Sequence, residues 1–181
     1  MIRTCVLLPI LLLCCSFGPG FYFCRRLAWS PAEKAAGSFG LSLFLVYLGT
    51  LAIQAFRLPA FSHTVLTGIL ALLTLLAARS IADFFRDREI RLLFASYLWL
   101  LAWSLALLAL VRNYSGAGVL WDWFEHYIRA MYFAEGWPAD RLHLGDIVIP
   151  SLPPLVNAVS AHFLHHLGRG FEGFLAVSAA H

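Results

Sequence analysis

The chain has 181 residues, of which 61% are hydrophobic and only 13% charged, with a mean hydropathy of +0.77. Soluble domains average about 45–50% apolar and roughly 25% charged residues, so this composition excludes a water-soluble globule. The net charge of +3 does not point to nucleic acid, because the basic residues sit at the ends of apolar runs and not on a stripe interleaved with stacking aromatics.

Four apolar runs, about 5–23, 36–56, 64–82 and 92–111, match the roughly 20 residues a helix needs to cross the hydrocarbon layer. No segment carries the alternation of a membrane β-barrel strand, and backbone in lipid must be satisfied by helix or closed barrel. The fold class predicted is therefore all-α: a polytopic membrane helix bundle. The first run also has the look of a signal peptide, but it continues from Phe17 to Cys24 without an Ala-x-Ala site and reads as an uncleaved span. Cys5, Cys14, Cys15 and Cys24 all fall in or beside that run, where they read as small apolar packing residues. Ser30-Pro31 with Glu33 is a helix-start signal for the second span. Gln54, Thr67 and Thr74 lie inside spans and read as interhelical glue.

The connection at 25–34 holds three basic residues, the stretch 79–91 holds Arg79, Arg86, Arg88 and Arg91, and the connection at 57–63 holds one. The positive-inside rule puts the first two in the cytoplasm. Four crossings then leave everything after Arg112 on the outer side.

From Arg112 to Pro154 the character changes. This stretch carries three of the six tryptophans, three of the six tyrosines and half of the ten acids, and it opens on the turn-rich Asn113-Tyr-Ser-Gly-Ala-Gly118. Residues 119–135 wind into an amphipathic helix closed by Gly136 and Pro138. Asp122, Glu125, His126 and Arg129 share an arc of about 100°, and Leu120, Trp123, Phe124, Tyr127 and Met131 take the other side. Such a helix lies on the outer surface with its polar face turned from lipid. The spacing alone leaves two accounts open. One is a solvated face with a Glu125–Arg129 pair; the other is a carboxylate set to take a proton from a hydroxyl acceptor, with Arg129 and His126 near an anionic leaving group.

Pro153-Pro154 introduces an apolar segment, Leu155 to Leu167, and a last stretch, Phe171 to Ala180, follows. His162-x-x-His165-His166 offers two imidazoles on one helix face, but no third ligand and no His-Glu-x-x-His pattern accompanies it, so no metal is expected. Asp140, Arg141 and Asp146 read as solvating a turn, and nothing calls for a cofactor.

Asp122-Trp-Phe-Glu-His-Tyr-Ile-Arg-Ala-Met-Tyr-Phe, then Gly136-Trp-Pro, then Pro153-Pro154-Leu155, resembles the first extracytoplasmic loop of membrane glycosyltransferases of the GT-C type, among them protein O-mannosyltransferases and lipid A aminoarabinose transferases. The resemblance covers roughly residues 113–165. It implies a multi-pass protein of the bacterial inner membrane that transfers a sugar from a polyprenyl-phosphate donor to a hydroxyl acceptor on the extracytoplasmic side. Asp122 would be the base, and Glu125, His126 and Arg129 would bind substrate. Trp123 stands where the family has a second acid, and Leu152 where it has a basic residue before Pro-Pro. Three spans precede the loop beyond the family's one, and members run to several hundred residues, so the chain is expected to be the N-terminal part of such an enzyme. The alternative is a non-catalytic membrane subunit or scaffold whose outer helix docks a protein partner. Under either account the lipid bilayer is the first partner and nucleic acid is none.

Overall fold

The computed structural model describes residues 2–110, 117–138, 143–144, 147–148 and 155–181; the side chains of 2–5, 109, 117–123, 143–144 and 147–148 lie outside the description. The described residues form an all-α bundle of seven helices plus one two-residue antiparallel pairing, His143–Leu144 with Ile147–Val148.

Helix α1 runs Ile2–Leu11, widens into a π-helical turn over Leu12–Phe17 and resumes as Gly18–Cys24. The wide turn lies just before Pro19, which has no N–H to give and whose ring would crowd the carbonyl four residues back. Within it the Gly18 N–H reaches the Leu13 carbonyl, five residues behind. Helix α2 is Pro31–Ala55, α3 is Ser62–Phe84 and α4 is Arg88–Leu110. The start signal read for α2 is present as a reciprocal cap. Ser30 Oγ accepts from the Glu33 N–H at 3.3 Å, and Glu33 Oε2 accepts from the Ser30 N–H at 2.8 Å.

Four helices are long and apolar enough to cross a membrane: Val6–Cys24, Pro31–Ala55, Ser62–Phe84 and Arg88–Leu108. The chain is thus a multi-pass membrane protein, and the four apolar runs of the sequence correspond to these helices one for one. Its packing has the matching polarity. Leu75, Trp99, Leu100 and Trp103 are exposed, while Ser38, Ser42, Thr50 and Thr74 are buried between helices. In lipid the outer surface gains nothing by being polar, and small hydroxyl residues let backbones approach and bond.

One end of the bundle is held by phenyl rings. Phe17 and Phe21 from α1, Phe39 from α2, Phe84 and Phe85 at the end of α3 and Phe94 from α4 form a chain of ring contacts, mostly tilted or edge-on, with centroids 4.6–6.2 Å apart. This end carries Arg25, Arg26, Lys34 and the Asp83–Arg91 stretch. The opposite end carries the α2–α3 connection. There Arg57 takes a left-handed φ of 49° as the chain turns.

Three further helices build on that opposite end: α5 (Ala117–Ala134), α6 (Leu155–Leu167) and α7 (Phe171–Ala180). Gly136, at φ 62°, closes α5, and the Trp137 N–H reaches back to the Tyr132 carbonyl. That is the glycine-terminated helix end the sequence marks. At 13 residues α6 has about two-thirds of the length needed to cross. It and α7 insert among the spans, where Val159, Phe163 and Val177 join Leu8, Cys15, Val46, Leu70 and Leu101 in one core. Tyr97 Oη on α4 donates to the Ala180 carbonyl at the end of α7.

Candidate functional site

Two clusters of polar side chains lie at the end where α5, α6 and the α2–α3 connection meet. The first is the face of α5 singled out by its spacing. Asp122 falls within α5, but its side chain lies outside the described residues, as do Asp140, Arg141 and Asp146 altogether. Glu125 and Arg129 pair across one helical turn at 3.0 Å, with side chains 34% and 5% exposed. His126 Nδ1 lies 3.2 Å from the Oδ1 of buried Asn157 on α6; an amide oxygen only accepts, so Nδ1 is the donor.

The reading of α5 as a surface helix with a wetted polar face and a lipid-facing apolar side needs correcting. Arg129 is buried, and Met131 from the opposite side is buried as well. Of the described members of that apolar set, Phe124 is exposed, while Tyr127 is half-buried and donates to the Arg169 carbonyl at 2.7 Å. The cause is α6. Ala130, Met131 and Ala134 pack on Ala161, Leu164 and the α7 residue Phe174, and the three alanines let the helices close tightly. Arg129, next to Ala130 of this seam, is buried and pairs with Glu125.

This asymmetric pair gives a stability prediction. Glu125→Gln removes a countercharge from a guanidinium that water barely reaches, and because Glu125 itself is one-third exposed, about 1–2 kcal/mol should be lost, less than the roughly 3–5 of a fully buried pair. Arg129→Met keeps the stem packing and leaves only a hydrated carboxylate, so it should cost less. Thermal melts of the two variants in detergent check the order.

The second cluster is histidine. His162 on α6 is fully buried, and so is His63 in the first turn of α3. Their Nδ1 atoms are 3.3 Å apart, so one ring donates to the other. Thr67 Oγ1, one turn along α3, contacts His162 Nε2 at 3.1 Å and His166 Nε2 at 2.7 Å. Thr64 Oγ1 meets His165 Nε2 at 3.3 Å, and Cys15 Sγ lies 3.8 Å from His162 Nε2. Four imidazoles from two helices thus share one network. Hydroxyls and neighbouring rings meet several of their nitrogens, while His165 Nδ1 is buried without a hydrogen-bond partner, and among the described residues no three His, Cys, Asp or Glu groups converge to hold a metal ion.

His63 is the member that the sequence reading passes over. Its signal is the spacing His63-Thr64-x-x-Thr67, which sets polar groups on one face at the mouth of a span, where they must meet polar partners. The glue residues do bond as expected. Gln54 Nε2 donates to the Trp137 carbonyl at 2.7 Å, tying α2 to the turn after α5, and Thr74 Oγ1, besides bonding the Leu70 carbonyl of its own helix, reaches the Cys14 carbonyl on α1 at 3.5 Å. Cys14, Cys15 and Cys24 are free thiols. No protein-family model matches the chain, and comparison with curated proteins and with solved structures gives no match either.

Proposed function

We propose that the chain is the N-terminal part of a membrane glycosyltransferase that uses a polyprenyl-phosphate sugar donor on the extracytoplasmic face of a bacterial inner membrane. The observation that supports this most is the α5–α6 seam. The two segments that carry the resemblance, the helix with Asp122 and the helix after Pro153-Pro154-Leu155, pack as one unit through Ala130, Met131, Ala161 and Leu164 and through the His126–Asn157 bond. A helix fixed at two levels is a rigid mount, which a general base requires.

In this proposal the acceptor hydroxyl oxygen attacks the anomeric carbon of the donor. The bond from that carbon to the phosphate oxygen breaks, Asp122 takes the hydroxyl proton, and polyprenyl phosphate leaves. His126 has Nδ1 committed to Asn157 and keeps Nε2 for a polar group of the donor. Arg129 is too covered to meet a free phosphate, so it serves by setting the position of Glu125.

The test is sugar transfer by membranes that express the whole transferase of which the chain would be the N-terminal part, supplied with polyprenyl-phosphate mannose and polyprenyl-phosphate aminoarabinose in turn, because the N-terminal part is too short to be expected to act alone. Transfer to a hydroxyl acceptor is expected, falling by about 10²–10⁴-fold in Asp122→Asn. Transfer that survives unchanged in the variant, or none above membranes lacking the chain, overturns the reading in favour of a non-catalytic membrane subunit.

A further inference from the structure

At the end of the bundle away from α5, helices α1, α2 and α3 enclose an open cleft of about 520 Å³. That volume falls within the roughly 300–1,000 Å³ of small-ligand sites. Its rim holds three cations: Arg25 and Arg26, just past the end of α1, and Lys34, in the first turn of α2. Ser80 adds a hydroxyl, and Phe21 and Phe84, with ring centroids 4.9 Å apart, form an apolar floor. Asp83 is the one acid in the lining, and its Oδ1 is engaged by Arg86 at 2.9 Å.

Among the described residues no carboxylate pairs with Arg25, Arg26 or Lys34. Arg25 is nonetheless fixed. Its Nη1 donates to the Leu76 carbonyl on α3 at 2.8 Å, and its guanidinium lies 4.4 Å from the centroid of the Tyr22 ring. A held guanidinium beside two more cations, with one acid already paired elsewhere, is a charge arrangement that lacks its anion.

The floor and surroundings say what kind of anion. Phenyl rings under a basic rim suit an amphiphile better than a bare ion. Arg25 of the lining bonds the carbonyl of Leu76, whose side chain is exposed on α3, and exposed Trp29, an aromatic of the type that gathers at the membrane–water boundary, lies against Gly37, three residues past Lys34. Basic pockets between membrane helices at the positively charged side are where anionic headgroups seat. We propose that this cleft binds the phosphodiester headgroup of an anionic phospholipid, with Arg25, Arg26 and Lys34 on the phosphate and Ser80 donating to it, while the acyl chains follow the apolar flank of α3.

The test uses the purified full chain in detergent micelles, incubated with equal amounts of phosphatidylglycerol and phosphatidylcholine and examined by native mass spectrometry. Phosphatidylglycerol should stay bound in preference. Retention should fall by about tenfold or more in the Arg25→Gln, Arg26→Gln, Lys34→Gln triple variant. Arg88→Gln, which removes a cation from the same end but outside the cleft, should retain the lipid as the native chain does. Lys34→Gln alone, on a well-capped helix, serves if the triple variant does not fold, and it should lose part of the retention. Equal retention of the two lipids, undiminished retention in the cleft variants, or equal loss in Arg88→Gln overturns the proposal. So does displacement of the lipid by millimolar inorganic phosphate, which would make the site one for a free anion.

Discussion

Gly20→Val should prevent the bundle from assembling, with the protein lost to aggregate on size-exclusion chromatography in detergent. Gly20 lies where α1 crosses α2, and its N–H donates to Ser42 Oγ at 2.8 Å. A Cβ at this position would run into the carbonyl oxygen and carbon of Ser38. Those are backbone atoms in the middle of a capped 25-residue helix, so they cannot swing aside as a side-chain tip can. The helices must separate instead. Separation breaks the Gly20–Ser42 bond and opens the contacts that bury Ser38 and Ser42. Overpacking a core costs about 1–3 kcal/mol and sometimes more, and a backbone clash belongs at the top of that range or beyond it. Gly68→Ala is the control. It sits on α3 with nothing within 4 Å of the added carbon, and its gain in helix propensity should leave the melt unchanged or slightly raised. Comparable losses from the two substitutions would show that the α1–α2 crossing is not what holds the bundle.

The spans were legible because crossing a membrane is a demand on composition, and composition survives without any knowledge of partners. The same holds for local signals whose physics is complete within a few residues: the Ser30–Glu33 cap and the positive φ at Gly136 are both read from neighbours in sequence. What the sequence did not disclose depends on which helix lies against which. A helical projection of 119–135 separates polar from apolar faces correctly, but it cannot say that α6 covers one flank and α7 another, and so it assigned Arg129 to water and Met131 to lipid. The network around His162 has the same character. Its α6 members are visible as a spacing, but His63 stands about 100 residues earlier, and only the docking of α6 against the start of α3 joins them. The widened turn at Leu12–Phe17 was hidden for a different reason, since Pro19 announces a disturbance without fixing whether the helix kinks, breaks or widens.

Acidification from pH 8 to 5.5 should destabilise the bundle, and the histidine network decides the sign. Burial, with the neighbouring His63, His166 and His165 imidazoles adding to it, holds His162 well below its ordinary value. His165 is lowered in the same direction, by burial and then by Arg169. In an unfolded chain these rings titrate at about 6.5. A group whose folded value is depressed in this way binds its proton more readily when unfolded, so the stability tied to a neutral ring is complete above about pH 6.5 and erodes below it. The groups facing His162 offer no escape. His63 comes from α3 and His165 and His166 from its own helix, all of one potential sign, while Thr67 and the Cys15 thiol are neutral, so a proton placed here meets no countercharge. His162→Gln separates this from general acid effects. Glutamine keeps a donor and an acceptor for Thr67 and His63 but cannot charge, so its melting temperature should vary less over this range than that of the native chain, even if it starts lower. Carboxylates titrate mainly below the range and should contribute alike to both. Parallel pH profiles for the two proteins, or a native chain that melts higher in acid, would mean that the imidazoles gain a countercharge on protonation and that the network is not a neutral one.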